Sequence, residues 1–250
     1  MSNFIDVHEI MLDFLKSNLK NAKNFILGVS GGLDSAVVAT LCAQVCKEKT
    51  YALIMPTNYS NSKNLEDGIN LCKKLGINYE VISIQAILES YKNSIYGDLN
   101  NLRVGNICAR IRMTLLYDYS AKLGGFVVGT SNKSELMLGY GTIYGDMACA
   151  INPIGDMFKS DIFEFARYLN IDKDIILKKP SADLWENQSD ESDLGYSYIK
   201  IDPVLKFICK NGMDEKELFD NFDENLVKKV LQMVNKNSFK LKPPKIVKIH

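Results

Sequence analysis

The chain has 250 residues, 46% hydrophobic and 24% charged, proportions ordinary for a globular protein. Lysine plus arginine and aspartate plus glutamate each total 30, so the formal net charge is zero; no basic excess argues for nucleic acid, and no lysine–arginine cluster for a membrane surface. No apolar stretch is long enough for a membrane span, and the opening MSNFIDVHEIMLDF lacks a basic segment leading into a long apolar one, so no signal peptide is expected and the cytoplasm is the expected compartment.

In chain order, residues 3–20 carry Ile5, Val7, Met11, Phe14 and Leu15 at helical spacing and predict an amphipathic helix. Four short apolar runs follow, NFILGV (24–29), TYALIMP (50–56), NYEVISI (78–84) and GFVVGT (125–130), with helical patterns over 35–47, 63–75 and 98–122 between them. Continuous apolar strands alternating with helices mean a parallel sheet covered on both faces, doubly wound by right-handed crossovers. Ligands in such sheets sit outside the strands' carboxyl ends. After residue 155 the pattern changes: 160–169 reads as a helix, 180–195 as a loop, and 196–238 as helical, with an extended tail beyond. The loop holds Asp183, Glu186, Asp190, Glu191 and Asp193 without a lysine or arginine, and is expected to be solvated and mobile in the free protein. No internal repeat or linker is evident, so a single domain over 1–250 is expected.

The scarce residues narrow the chemistry. Only His8 and His250 are present, so a Ser-His-Asp relay or a histidine-rich zinc site is poorly supplied. Six cysteines, Cys42, Cys46, Cys72, Cys108, Cys149 and Cys209, form no C-x-x-C pair and read as reduced packing thiols. Chemistry must come from carboxylates, lysines, arginines, backbone amides and a bound metal.

The first strand runs directly into Ser30-Gly31-Gly32-Leu33-Asp34-Ser35. The glycines allow positive φ and close approach to a ligand; the serines add hydroxyls. The helix that follows directs free amides and its positive end at the same point, which makes an anion nest suited to phosphate. The pattern is neither G-x-x-x-x-G-K-[ST] nor G-x-G-x-x-G. Asp34 alone would repel an anion; with Mg²⁺ bridging acid and phosphates its place makes sense. A serine-capped glycine turn is the competing explanation, and it accounts for two glycines better than for the whole hexad.

Thr130 and Glu135 follow the fourth strand, again at the sheet's carboxyl edge. Glu135 can reach a metal held by Asp34 or serve as an ordinary first-turn helix acid. Lys159 stands near the start of a helix, where a lysine opposes the dipole; a phosphate would compensate it, and a solvated lysine is the alternative. The helical pattern starting near Asn106, GNICARIRMTLLYDYSAKLG, is apolar almost all round, which predicts burial on more than one side, by its own core or a partner subunit. Its Arg110 and Arg112 need partners, since a buried arginine is costly alone.

SGGLDS resembles the pyrophosphate-binding loop of the N-type ATP pyrophosphatases, a Rossmann-like group of adenine nucleotide α-hydrolase type. Three further stretches, GNICARIRM (105–113), VVGTSNKSELMLGYGTIYGD (127–146) and NPIGDMFKSDI (152–162), with PSADLW and the acidic residues up to 195, resemble the ammonia-dependent NAD synthetases in order and spacing over nearly the whole chain. The resemblance implies a ligase that forms an acyl adenylate from ATP and deamido-NAD and releases it to ammonia as NAD. It implies an ATP site of Gly28, Val29, Ser30, Gly31, Gly32, Leu33, Asp34, Ser35, Thr130, Lys159 and Ser181. It further implies Mg²⁺ on Asp34 and Glu135, deamido-NAD contacts from Arg110 and Lys240, catalytic roles for Asp34 and Lys159, and a homodimer whose interface includes the helix following Asn106. The 183–195 loop is expected to order over the adenylate as a lid, and no part of the chain is left for a glutaminase domain. The chain departs from the family pattern at Ile143, Ala150 and Phe239, all on the deamido-NAD side. A free-standing GMP synthetase ATPase subunit and a non-catalytic nucleotide-binding module remain open alternatives; a tRNA-modifying member would need a basic face that the neutral balance does not suggest.

Overall fold

The computed structural model describes residues 3–181 and 188–249. Helix α1 (Phe4–Leu19) opens the chain, capped by the Asn3 side chain. Then follow β1 (Asn24–Gly28), α2 (Leu33–Cys46), β2 (Thr50–Ile54), α3 (Ser62–Leu75), β3 (Asn78–Val81), α4 (Gln85–Ser94), α5 (Asn101–Leu123) and β4 (Gly125–Val127). The remainder is helical: α6 (Lys133–Leu138), α7 (Lys159–Tyr168), α8 (Lys173–Ile176), α9 (Asp190–Leu194), α10 (Tyr198–Asn211), α11 (Glu215–Asn221) and α12 (Glu224–Asn237). Short 3-10 turns occupy Lys47–Lys49 and Ser238–Leu241.

The four strands form one parallel sheet in the order β3-β2-β1-β4. Alternation along β1 sorts the core. Phe25 and Leu27 face one apolar layer, built with α1, α2, α3 and α7. Ile26 faces the other, with Leu53, Leu88, Ile111 and Leu116. That is the period of two expected of a strand buried on both faces. A third apolar cluster, outside the sheet, joins α6, α10, α11 and α12 around Leu138, Ile201, Val204, Val227 and Val230.

The expected doubly wound parallel sheet with flanking helices is therefore present, with differences. Helix α4 occupies residues for which the sequence pattern suggested no element, and the strand expected over 78–84 is shorter: β3 is an exposed edge strand that stops at Val81, and the buried Ile84 and Leu88 belong to α4 as its N-cap and a core residue. Helix α5 begins at Asn101 because the Asn100 side chain accepts the Arg103 amide. The acidic stretch is not wholly loop. Ser189 caps α9, which carries Asp190, Glu191 and Asp193 in its first turn, where acids suit the dipole; Asp183 and Glu186 lie outside the described residues. Among the described residues no helix is long and apolar enough to cross a membrane.

Candidate active site

The site begins where β1, one of the two inner strands, runs out. Val29 still donates its amide to Leu53 of β2 (3.0 Å), and the chain then turns through Ser30–Gly32 into α2. Gly31 has φ 77°, and a Cβ on it would stand 2.0 Å from the Asn64 carbonyl oxygen, so glycine is required twice over. The loop holds its own shape. The Ser30 amide donates to Ser35 Oγ (3.2 Å), the Gly32 amide to Ser30 Oγ (3.2 Å), and the Ser35 hydroxyl to the Gly32 carbonyl (3.0 Å). Gly32 is the N-cap of α2 and brings no side-chain cap, which leaves the first-turn amides to a ligand.

Across the sheet's carboxyl edge, β4 continues into Gly129 and Thr130. Gly129 donates to the Ile151 carbonyl (2.8 Å), and a Cβ there would meet Cys149 Sγ at 2.6 Å. Asn132 then caps α6 in a reciprocal box with Glu135: the Glu135 amide donates to Asn132 Oδ1 (3.0 Å) and the Asn132 amide to Glu135 Oε2 (3.2 Å). The same Asn132 donates its side-chain amide to Asp34 Oδ1 (3.2 Å). The other Asp34 oxygen accepts from Lys159 Nζ, whose side chain is only 3% exposed.

Charges on three elements thus meet: Asp34 at the start of α2, Glu135 in the first turn of α6, and Lys159 at the start of α7. Burial works against the Lys159 charge, but Asp34 and Glu135 more than offset it and hold the ammonium above its ordinary pKa. Burial and then the Asp34 charge push Glu135 well up. Asp190 is 4% exposed and accepts from the hydroxyls of Tyr140 (3.3 Å) and Tyr198 (3.4 Å). Burial lifts its carboxyl to about 6, against the pull of Lys159.

These groups line a cavity of about 580 Å³, within the range of ligand pockets. Its wall includes Gly28–Ser30, Gly32–Ser35, Thr130, Glu135, Lys159 and Ser181. Gly31, the remaining member of the expected loop, lies behind it against α3. Lys240 lines the far side, with Nζ donating to the carbonyls of Gly139 (2.7 Å) and Gly141 (2.9 Å); burial lowers its pKa. Arg110 is set apart: exposed on the outer side of α5, it donates Nε to the Ile143 carbonyl (3.3 Å) and does not line the cavity. Arg112 of the same helix does, with Nε on the Met55 carbonyl (3.0 Å).

Two expectations change. The acidic segment 188–194 is anchored rather than loose, because Gln188 and the Tyr140 hydroxyl both donate to Asp193 Oδ2 (2.9 and 2.7 Å) and Asp190 is buried. Nor does Lys159 need a phosphate to offset the dipole, since Asp34 already pairs with it. Sequence reasoning also missed Lys178, whose Nζ donates to the Gly31 carbonyl (2.9 Å) and Asn64 Oδ1 (2.7 Å) and pairs with Asp67 (2.6 Å). The only signal would have been the paired lysines, Lys178 and Lys179, just ahead of Pro180. Asn132 was legible in principle, as the N-x-x-E of a capping box.

A glycine loop at the carboxyl end of a parallel sheet, with an acid inside it and a buried lysine beside it, defines a nucleotide-phosphate-binding α/β protein. The chain belongs to the NAD synthase family, whose profile matches residues 7–244. An NH(3)-dependent NAD(+) synthetase of Campylobacter jejuni is 53% identical over 97% of this chain and 98% of its own. One from Helicobacter pylori is 50% identical over 94% and 93%. Among solved structures, the Campylobacter jejuni NH3-dependent NAD synthetase bound to nitrate has a TM-score of 0.85 at 43% identity, covering 98% of this chain and all of that one. The NMN synthetase of Francisella tularensis has a TM-score of 0.90 at 30% identity, covering 99% of both chains.

Proposed function

We propose that this protein is a ligase that uses ATP to amidate deamido-NAD with ammonia, giving NAD, AMP and pyrophosphate. The observation that carries the reading is the Asp34–Lys159 pair at the mouth of the glycine loop, in a chain half identical to ammonia-dependent NAD synthetases over almost its full length. The GMP synthetase alternative loses its motive, because the family profile spans nearly the whole chain.

In this reading the backbone of Gly28–Ser35 and the first turn of α2 cradle the ATP phosphates, with Thr130, Lys159 and Ser181 around them. A substrate carboxylate oxygen attacks the α-phosphorus and pyrophosphate leaves. Ammonia then adds to the acyl carbon of the adenylate, AMP departs, and the surplus proton passes to solvent. Lys159 and the loop amides stabilise charge on the transferring and leaving phosphates. Arg110 and Lys240 are the proposed deamido-NAD contacts; Lys240 lines the cavity, and Arg110 stands on the outer side of α5.

A divalent cation suits the residues present. Asp34 and Glu135 are near enough for one charge to raise the other's pKa, a mutual repulsion that a cation relieves. Among the described residues no group of three or more ligating side chains comes together, so Mg²⁺ would arrive on Asp34, Glu135 and the oxygens of ATP. When bound it neutralises charge on the phosphates. A cytoplasmic setting is supported by six free thiols and no disulfide among the described residues. A homodimer is supported by the apolar side chains that α4 and α5 leave exposed: Ile87, Tyr91, Leu102 and Tyr117.

One observation favours a second reading. The Francisella NMN synthetase has the higher TM-score of the two structures, and the same chemistry would serve a mononucleotide. A panel of deamido-NAD, nicotinic acid mononucleotide and XMP, each with ATP, Mg²⁺ and ammonium, tests both by pyrophosphate release. Turnover of deamido-NAD above the mononucleotide is expected. Preference for the mononucleotide would install the second reading, and turnover of XMP alone would overturn both.

A further inference from the structure

Helix α7 begins at Lys159, and its N-cap, Phe158, brings no side-chain hydrogen bond. The cap comes instead from another layer of the molecule. Asp202 of α10 is fully buried, and one carboxylate oxygen accepts the Ser160 amide at 2.7 Å. Its other oxygen accepts the Ser134 hydroxyl at 2.6 Å, and Ser134 Oγ in turn accepts the Lys159 amide at 2.9 Å. Ser134 lies in the first turn of α6, one residue before Glu135. A single carboxylate therefore ties together the starts of α6 and α7, the two elements that deliver Glu135 and Lys159 to Asp34. One turn earlier on the same face of α10, the Tyr198 ring centre lies 5.9 Å from Lys159 Nζ. Helix α10 thus reaches Lys159 at both ends, its backbone amide through Ser134 and its ammonium through the Tyr198 ring.

We infer that Asp202, with Ser134 as its bridge, is a positioning residue for the ligase reaction, setting Lys159 against Asp34 and the phosphate loop. The inference rests on the proposed role of Lys159 toward ATP phosphates. A carboxylate suits the task because it accepts from two donors at once in a site closed to water, and charged acceptors give the stronger bonds. An amide at this position keeps the volume but loses the charge and one acceptor.

The test is a double-mutant cycle. Asp202→Asn and Ser134→Ala are each made in the parent and in a Lys159→Ala background, and ATP affinity is measured by calorimetry beside kcat and KM. In the parent background each change should lower kcat and weaken ATP binding by about tenfold, with KM for deamido-NAD within about twofold; with Lys159 gone each should cost less than about twofold more. Losses that multiply equally in both backgrounds would reduce Asp202 to a structural cap and overturn the inference. A Lys159→Ala protein with full activity and ATP affinity would overturn the role of Lys159 itself, and this inference with it; an impaired one with additive losses overturns the inference alone. If Asp202→Asn does not fold, Ser134→Ala carries the cycle, because it removes one hydroxyl and leaves the Asp202–Ser160 bond.

Discussion

Asp34 stands between an ammonium and an amide donor. One of its oxygens is held by Lys159, the other by the Asn132 amide. The proposed Mg²⁺ has to share it with both. Replacing it by asparagine keeps the shape and the Asn132 contact while removing the charge. Asp34→Asn is expected to fold normally by circular dichroism and to lose pyrophosphate release by about 10²-fold or more, the scale of removing a charge-stabilising group from a closed site. An active Asp34→Asn enzyme at ordinary Mg²⁺ would break the metal assignment. Asp190 makes a prediction about pH. Its carboxyl is raised from 3.8 to about 6, so the folded protein keeps a proton that the unfolded chain has already released. Stability is then fully present below the ordinary pKa and is lost as pH climbs through about 6. Asp190→Asn removes that loss. Its thermal midpoint should match the parent's near pH 4 and exceed it by roughly 6–12 °C at pH 7.5, since a rise from 3.8 to about 6 corresponds to about 3 kcal/mol and each kcal/mol moves a chain of this size by about 2–4 °C. A difference that stays flat with pH would show that Asp190 is charged in the fold at no cost.

At the scale of single elements, the glycine loop and the helices it meets have little room to vary. Gly31 turns with positive φ, and the Asn64 carbonyl stands where a side chain would begin. Gly31→Ala should therefore cost at least about 2 kcal/mol in urea denaturation, from the left-handed backbone and the clash together, and ATP protection of the native state should disappear with it. Unchanged stability would mean that α3 can retreat without consequence. The loop itself was legible in the sequence because its chemistry is local: residues 30–35 carry the turn, the hydroxyls and the acid within two helical turns. Glu135 and Lys159 were legible as candidates for the same reason, each at a helix start beside a strand end or turn. Lys178 and Asp202 were not. Their meaning lies in partners more than a hundred residues from Lys178, in Gly31 and Asn64, and in Ser134, 68 residues from Asp202. No periodicity or short motif encodes such pairings. The acidic stretch misled in the opposite way. Five acids within eleven residues suggested repulsion and mobility, but over 188–194 Tyr140 and Tyr198 supply donors from outside the stretch and Gln188 from within it.

At the scale of the whole molecule, the all-round apolar character of α5 has an explanation inside the chain. Cys108, Ile111, Met113 and Leu116 are buried among the sheet and α4, so much of what suggested a partner is spent on the protein's own core. What α5 leaves outside is smaller, Leu102 at 63% and Tyr117 at 43% exposure. On that remnant and the exposed Ile87 and Tyr91 of α4, a dimer is still expected at micromolar concentration by sedimentation, and Tyr117→Glu should shift it toward monomer. A fully active monomer under those conditions would end the expectation.

The strand order bears on how the chain is made. β1 pairs with β2 soon after it in sequence, Phe25 with Thr50, but its other neighbour is β4, Asn24 with Gly125. A ribosome delivers the chain from its amino end, so β1 spends much of its synthesis with one edge bare, next to the glycine loop. Unpaired edges invite pairing with other chains, and long-range pairing is slow to form. The bond that closes the edge, from the Val128 amide to the Ile26 carbonyl at 2.8 Å, should be among the last protected in pulsed hydrogen exchange during refolding, after the β1–β2 ladder. Early protection of Val128 would mean that the sheet assembles from its late-made edge instead. Until that edge closes, the newborn chain carries a phosphate cradle with neither Thr130 nor Lys159 to face it, and an open strand is the cost of placing the nucleotide loop on a central one.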